Sequence, residues 1–169
     1  LHIFVLLIIF VYSRKLTIVK KDFWKVAFIP IFIFVLEEGL RWGRDGDWWG
    51  YRDTYNLIAA GYDVNNEFLF KFFWKILANL GFGYPVAIFF ASFLFIFSLF
   101  YLLRDSKKTI YLSLPIFVIW LGPLSIQLIR WFMGLSVCFV GLKFLFDKSY
   151  RNAYLCLLCS FFIHTFVGV

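Results

Sequence analysis

Charge is what this chain has least of. Only 16% of its 169 residues are Asp, Glu, Lys or Arg, 63% are hydrophobic, and the mean hydropathy is +0.84. Soluble globular domains carry about 25% charge, so an ordinary water-soluble domain is excluded. The apolar/polar alternation of a transmembrane barrel is missing. So are internal repeats and low-complexity linkers, which leaves a single domain over 1–169. Cysteine is scarce as well: Cys138, Cys156 and Cys159 all lie in apolar stretches. The Cys156-x-x-Cys159 pair on one apolar helix reads as small packing residues rather than redox or zinc chemistry. Neither a metal nor a cofactor is expected. No small-residue cleavage site follows the first apolar stretch, so no signal peptide is expected. Leu1 and Val169 both lie in apolar runs, and the chain reads as part of a longer protein.

What is present in quantity is apolar sequence in long runs, and this predicts an all-α, polytopic integral membrane protein whose helices satisfy their own backbone hydrogen bonds. About six transmembrane spans are expected, near 1–12, 23–40, 85–103, 109–124, 125–146 and 152–169, with Gly122 and Pro123 as a tight outer turn. The first is too short to cross a bilayer and reads as the end of a span. The net charge of +7 would suggest nucleic acid in a soluble protein. Here the basic residues form short clusters between apolar runs, as membrane orientation requires, and no nucleic-acid partner is expected. Arg14, Lys15, Lys20, Lys21 and Lys25 make one cluster, Arg104, Lys107 and Lys108 a second, and Lys143, Lys148 and Arg151 a third. Threading the spans places all three on the cytoplasmic side and the loop 41–84 outside.

Most of the acids fall in the stretch from Glu37 to Glu67, which runs from the end of the second span into that outer loop. Polar groups are expensive near hydrocarbon, so their concentration in one loop marks a candidate site. Asp47 suits the N-cap of a short helix beginning at Trp48, on which Trp48, Tyr51 and Tyr55 share a face. Aromatic faces beside charged groups suit a sugar, although an interfacial aromatic belt is the plainer reading for Trp48 and Trp49. Glu67, Lys71, Lys75 and Asn79 step by four among Phe68, Phe72, Phe73, Trp74, Ile76 and Leu77, predicting an amphipathic helix in the outer interface. A Glu67–Lys71 ion pair is the plain alternative to a functional Glu67. Asp45-Gly46-Asp47 matches a metal-binding DxD, a weak pattern that the outer location weakens further. Arg41 and Arg44 count for more, because guanidinium groups grip phosphate oxygens bidentately.

Two further polar residues fall in the outer half of the membrane. Gln127, Arg130, Gly134, Cys138 and Gly141 share one face of the fifth span, with Arg130 near its outer start. Arg130 either acts there or snorkels to the outer headgroups. Asn152, Cys156, Ser160 and His164 step by four along the sixth span, which puts His164 about 12 residues, or roughly 18 Å, into an outward helix. His164 is equally readable as a core histidine or as a functional one.

The order of these features resembles the EpsG-like family. Arg41-x-x-Arg44-Asp45 with Tyr51 and Tyr55, then Glu67 opening an aromatic stretch that ends at Leu80-Gly81, then Gln127-x-x-Arg130, then a late His164, carry the resemblance. It extends over nearly the whole chain. The family pattern Asn-x-x-Arg-Gln is here Gln127-Leu128-Ile129-Arg130-Trp131, so the amide is one carbon longer and the following glutamine is absent. The resemblance implies a Wzy-type polymerase of bacterial exopolysaccharide and capsule synthesis in the cytoplasmic membrane, with its site facing the extracytoplasmic side. Its substrate would be oligosaccharide linked to undecaprenyl diphosphate, and its partners membrane lipids and other exopolysaccharide assembly proteins. On this reading Arg41, Arg44 and Arg130, flanked by Gln127, Tyr51 and Tyr55, bind substrate. Asp45, His164 or Glu67 serves as base, the first two ranking ahead of the third. A glycosyltransferase using a polyprenyl-phosphate sugar would give a single-sugar product instead of a ladder. A lipid-linked glycan transporter would need a polar path across the inner halves of the spans, which are almost uniformly apolar.

Overall fold

The computed structural model describes residues 2–18, 22–40, 43, 46–125 and 129–165. Among these residues the chain is all-α, with eight helices: α1 His2–Ile18, α2 Phe23–Gly39, α3 Gly46–Ala59, α4 Phe68–Asn79, α5 Tyr84–Leu103, α6 Lys107–Ser125, α7 Ile129–Phe146 and α8 Tyr150–Ile163. Two of them, α5 and α7, are long and apolar enough to cross a membrane.

Helix α5 is the central element and packs on α2, α6 and α7. Its two halves serve two different cores. Phe95, Ile96, Leu99, Phe100 and Leu103 join a core built with α1, α2, α6 and α7. Tyr84, Ala87, Ile88 and Ala91 join a second core with Trp48, Tyr55 and Ile58 of α3 and Phe70, Trp74 and Leu77 of α4. Helices α3 and α4 therefore cap one end of the bundle. At the opposite end, Lys143 near the close of α7 is 3% exposed and pairs with Asp147 and, at 2.8 Å, with Asp105 just beyond α5. Arg130 and Lys143 are thus about 20 Å apart along α7 at 1.5 Å per residue.

The contact between α7 and α8 depends on small residues, as the spacing of Gly134, Cys138 and Gly141 suggests. A Cβ at Gly141 would come within 3.0 Å of the Cys156 Cβ. Cys156 is a packing residue here, and all three cysteines are free thiols. Large apolar side chains lie exposed along the long helices, among them Ile3, Phe4 and Leu7 of α1, Phe28 and Phe32 of α2, and Leu112 and Ile116 of α6.

Several sequence-based boundaries move. Helix α1 does not stop at Tyr12 but runs to Ile18 and carries Arg14 and Lys15. Helix α6 continues through Gly122 and Pro123 to Ser125, so no tight turn forms at that pair. Pro123 has no amide hydrogen to give the Ile119 carbonyl, so the helix passes it at the loss of one hydrogen bond. Ser125, expected to open the fifth span, belongs to α6, and α7 is described from Ile129, with 126–128 outside the described residues. Helix α3 begins at Gly46, which places Asp47 in its first turn rather than at the N-cap. Helix α8 ends at Ile163, and His164 is its C-cap in extended backbone, its amide donating to the Ser160 carbonyl at 3.0 Å.

Candidate functional site

The site begins with Arg130, the second residue of α7. An arginine among apolar neighbours needs acceptors, and it finds them 63 and 64 residues away in the chain. Its Nη1 donates to Glu67 Oε2 at 2.9 Å and to Asn66 Oδ1 at 2.8 Å. Glu67 is the N-cap residue of α4, in extended backbone, yet its carboxylate makes no cap hydrogen bond. It turns to the guanidinium instead. The pair is partly shielded, with Arg130 31% and Glu67 21% exposed, so it is stronger than a surface bridge and still within reach of a ligand.

The aromatic packing of α3 on α4 supplies a third partner. Tyr51 lies edge-on to Phe70 at 6.4 Å and to Trp74 at 6.0 Å, an arrangement that fixes its ring. Its hydroxyl lies close enough to interact electrostatically with Arg130. The guanidinium carbon also sits 6.0 Å from the Phe70 ring centroid. Arg130 Nε is buried and has no hydrogen-bond partner among the described residues. A guanidinium offers five donors, and here part of that capacity is unused.

An open cleft of about 320 Å³ lies beside this cluster, lined by Asp47, Gly50, Tyr51, Thr54, Asn66 and Arg130. His164, at the end of α8, interacts electrostatically with both Glu67 and Arg130. Helix α8 packs on α4 and α7, and this brings the imidazole to the same end of the bundle.

Of the residues singled out in the sequence, Arg130, Glu67, Tyr51 and His164 come together. Tyr55 does not join them. It is 2% exposed and its hydroxyl donates to the Phe82 carbonyl at 2.7 Å, tying α3 to the turn after α4. Burial pushes its phenol above the ordinary value, so it stays a donor. Arg41, Arg44, Asp45 and Gln127 lie outside the described residues. Trp48, read as an interfacial ring, is buried against Tyr84, while Trp49 is exposed. Lys71 does not pair with Glu67 but with Asp63, at 2.7 Å. Asn66 and Thr54 escaped the sequence reading. Asn66 could have been flagged by its place beside Glu67 at a helix start; Thr54 carries no such signal.

The class this defines is an all-α protein with membrane-length apolar helices and an arginine-centred polar cleft at one end of its bundle. Within that class the chain belongs to the EpsG family, whose model matches residues 23–168. Membership implies a role in exopolysaccharide biosynthesis. No curated protein and no solved structure matches the chain.

Proposed function

We propose that this protein is a Wzy-type polysaccharide polymerase, a multi-pass protein of the bacterial cytoplasmic membrane that joins lipid-linked glycan units at the extracytoplasmic face. The exposed apolar side chains of the long helices support the membrane location, because a belt of that extent in water would drive aggregation. The positive-inside rule turns the basic ends of the helices to the cytoplasm and the α3–α4 cap outward. About six spans fit this arrangement, with α3 and α4 as outer-face helices.

In the reaction, the hydroxyl of the acceptor sugar attacks the anomeric carbon of a glycan on undecaprenyl diphosphate. The bond from that carbon to the diphosphate oxygen breaks, and the acceptor proton passes to a base. Charge builds on the departing diphosphate, and Arg130 is suited to meet it with the donors that Glu67 and Asn66 leave unused. Glu67 orients Arg130, and His164 beside the pair receives the proton. Arg41, Arg44 and Gln127 add further contacts to the carrier, and Asp45 a second carboxylate. The observation that carries this reading is the cluster of Arg130, Glu67, Asn66, Tyr51 and His164, from four separate segments, beside an open cleft that Arg130, Asn66 and Tyr51 line.

The test is complementation of a deletion strain. Arg130→Ala, expressed at the normal level, is expected to lower polymer formation about 100- to 1000-fold, the range for loss of a single transition-state donor. Arg130→Lys should recover little of it, since an ammonium group cannot reproduce the planar fork. Single carrier-linked repeat units should then collect on the outer leaflet. Polymer of normal length and amount from Arg130→Ala contradicts the assignment, and accumulation on the inner leaflet points to transport. A single-sugar product in place of a ladder supports the polyprenyl-phosphate-sugar transferase.

A further inference from the structure

A second concavity, sharing no lining residue with the Arg130 cleft, lies where the C-terminal end of α3 meets the opposite face of α4. It measures about 370 Å³, and its walls include Tyr62, Asp63, Phe68, Lys71, Phe72 and Lys75. Phe70, which underlies Arg130, and the pair Phe68 and Phe72 are two positions apart on α4, or about 200° around the helix axis. The two recesses therefore face in different directions.

The chemistry of this groove is divided along its length. Lys71 and Lys75 are one turn apart and project side by side. Lys71 is held by Asp63 at 2.7 Å, whereas Lys75 is exposed and makes no ion pair among the described residues. The groove thus has two cations against one carboxylate. Beside them Phe68 and Phe72, 66% and 52% exposed, stack with ring centroids 6.2 Å apart and planes 14° from parallel. Ile76, also exposed, extends that apolar face by another turn. Two exposed phenyl rings next to an unpaired ammonium do not suit a water-soluble ligand, but they do suit an amphiphile that carries an anionic head and a hydrocarbon tail.

We propose that this groove binds the phosphate of an anionic lipid between Lys75 and Lys71, with its hydrocarbon chain laid against Phe68 and Phe72. Asp63 occupies the place of the phosphate at Lys71 when no lipid is bound, and a phosphate oxygen displaces it. The site anchors the α3–α4 cap to the membrane surface and does not depend on the reaction assigned to Arg130. Phosphatidylglycerol and undecaprenyl phosphate present the same chemistry.

Native mass spectrometry of the full-length protein in neutral detergent tests it, with titrations of phosphatidylglycerol, undecaprenyl phosphate, phosphatidylcholine and inorganic phosphate. Retained adducts are expected with either anionic lipid, and the one bound more tightly identifies the natural occupant. Lys71→Gln with Lys75→Gln should weaken that binding about 30-fold, the effect of two basic contacts at an anionic lipid surface. Asp63→Asn, which frees Lys71, should strengthen it, and Arg130→Ala should leave the binding of phosphatidylglycerol as in the wild type. Binding unaffected by the double lysine substitution overturns the proposal. So does phosphatidylcholine binding as tightly as phosphatidylglycerol, inorganic phosphate competing as well as the lipids, or loss of phosphatidylglycerol binding in Arg130→Ala. Because the readout is lipid retention, failure here leaves the polymerase reading untouched, and failure of that reading leaves this one standing.

Discussion

Lys71 shows how a single residue decides between neighbours. Sequence spacing offers it Glu67, four residues earlier, the usual ion pair of an exposed helix. In the fold Glu67 is the N-cap of α4, in extended backbone, and its carboxylate goes to Arg130. Lys71 reaches back to Asp63 instead and holds its carboxyl below the usual carboxylate range, first through the hydrogen bond and then through charge. A depressed folded value means that this link stabilises the α3–α4 turn above the unfolded carboxylate pKa of about 3.9 and is lost as pH falls through the folded value. Acid titration of thermal stability should therefore show a steeper fall below about pH 4 in the wild type than in Asp63→Asn. Equal slopes would mean that the pair does not act in solution. Arg130 was legible in the sequence because it crowns a helix face shared with Gln127 and small residues in an otherwise apolar span. Its acceptors were not, since a contact across 63 residues depends on where two other helices end.

At the scale of elements, helix existence was plain in the sequence and helix ends were not. The periodic stretches that form α4, α5 and α8 begin within two residues of where pattern placed them. Endings depend on local backbone geometry that hydropathy does not encode, which is why α6 passes Pro123 and α8 stops before His164. Two of the turns have a readable stop. After α3 and after α4 a glycine with positive φ, Gly61 and Gly81, closes the helix, with the next amide bonded back to Leu57 and to Leu77. The turn after α7 has the same hydrogen bonds, Lys148 to Leu145 and Ser149 to Phe144, but places a lysine at φ 60°. A side chain in that region costs about 1–2 kcal/mol. Lys148→Gly should therefore raise stability by about 1 kcal/mol in a detergent melt. A lowered melting temperature would show that the Lys148 side chain contributes more than its backbone loses.

Across the whole molecule, the two ends of the bundle hold different polar chemistry. The Arg130 end is open, with Arg130 Nε lacking a partner among the described residues, whereas the Lys143 end is closed, with one buried ammonium clasped by Asp105 and Asp147. Lysine draws Asp105 below its ordinary value, with Arg104 adding to the effect. Lys143→Met leaves two carboxylates facing each other and should lower stability by about 1–3 kcal/mol, limited because both acids keep contact with water. Unchanged stability would mean that the clasp does not join α5 to α7. The charge distribution between spans made this polarity visible in the sequence, while the second core under α3 and α4 emerges only from packing. The most direct test of the central claim is transfer by the purified full-length protein in nanodiscs supplied only with undecaprenyl-diphosphate-linked repeat units. The account predicts a ladder of joined units without any nucleotide sugar, and its loss in Arg130→Ala. Failure of the folded wild type to join units, or an equal ladder from the variant, would contradict it.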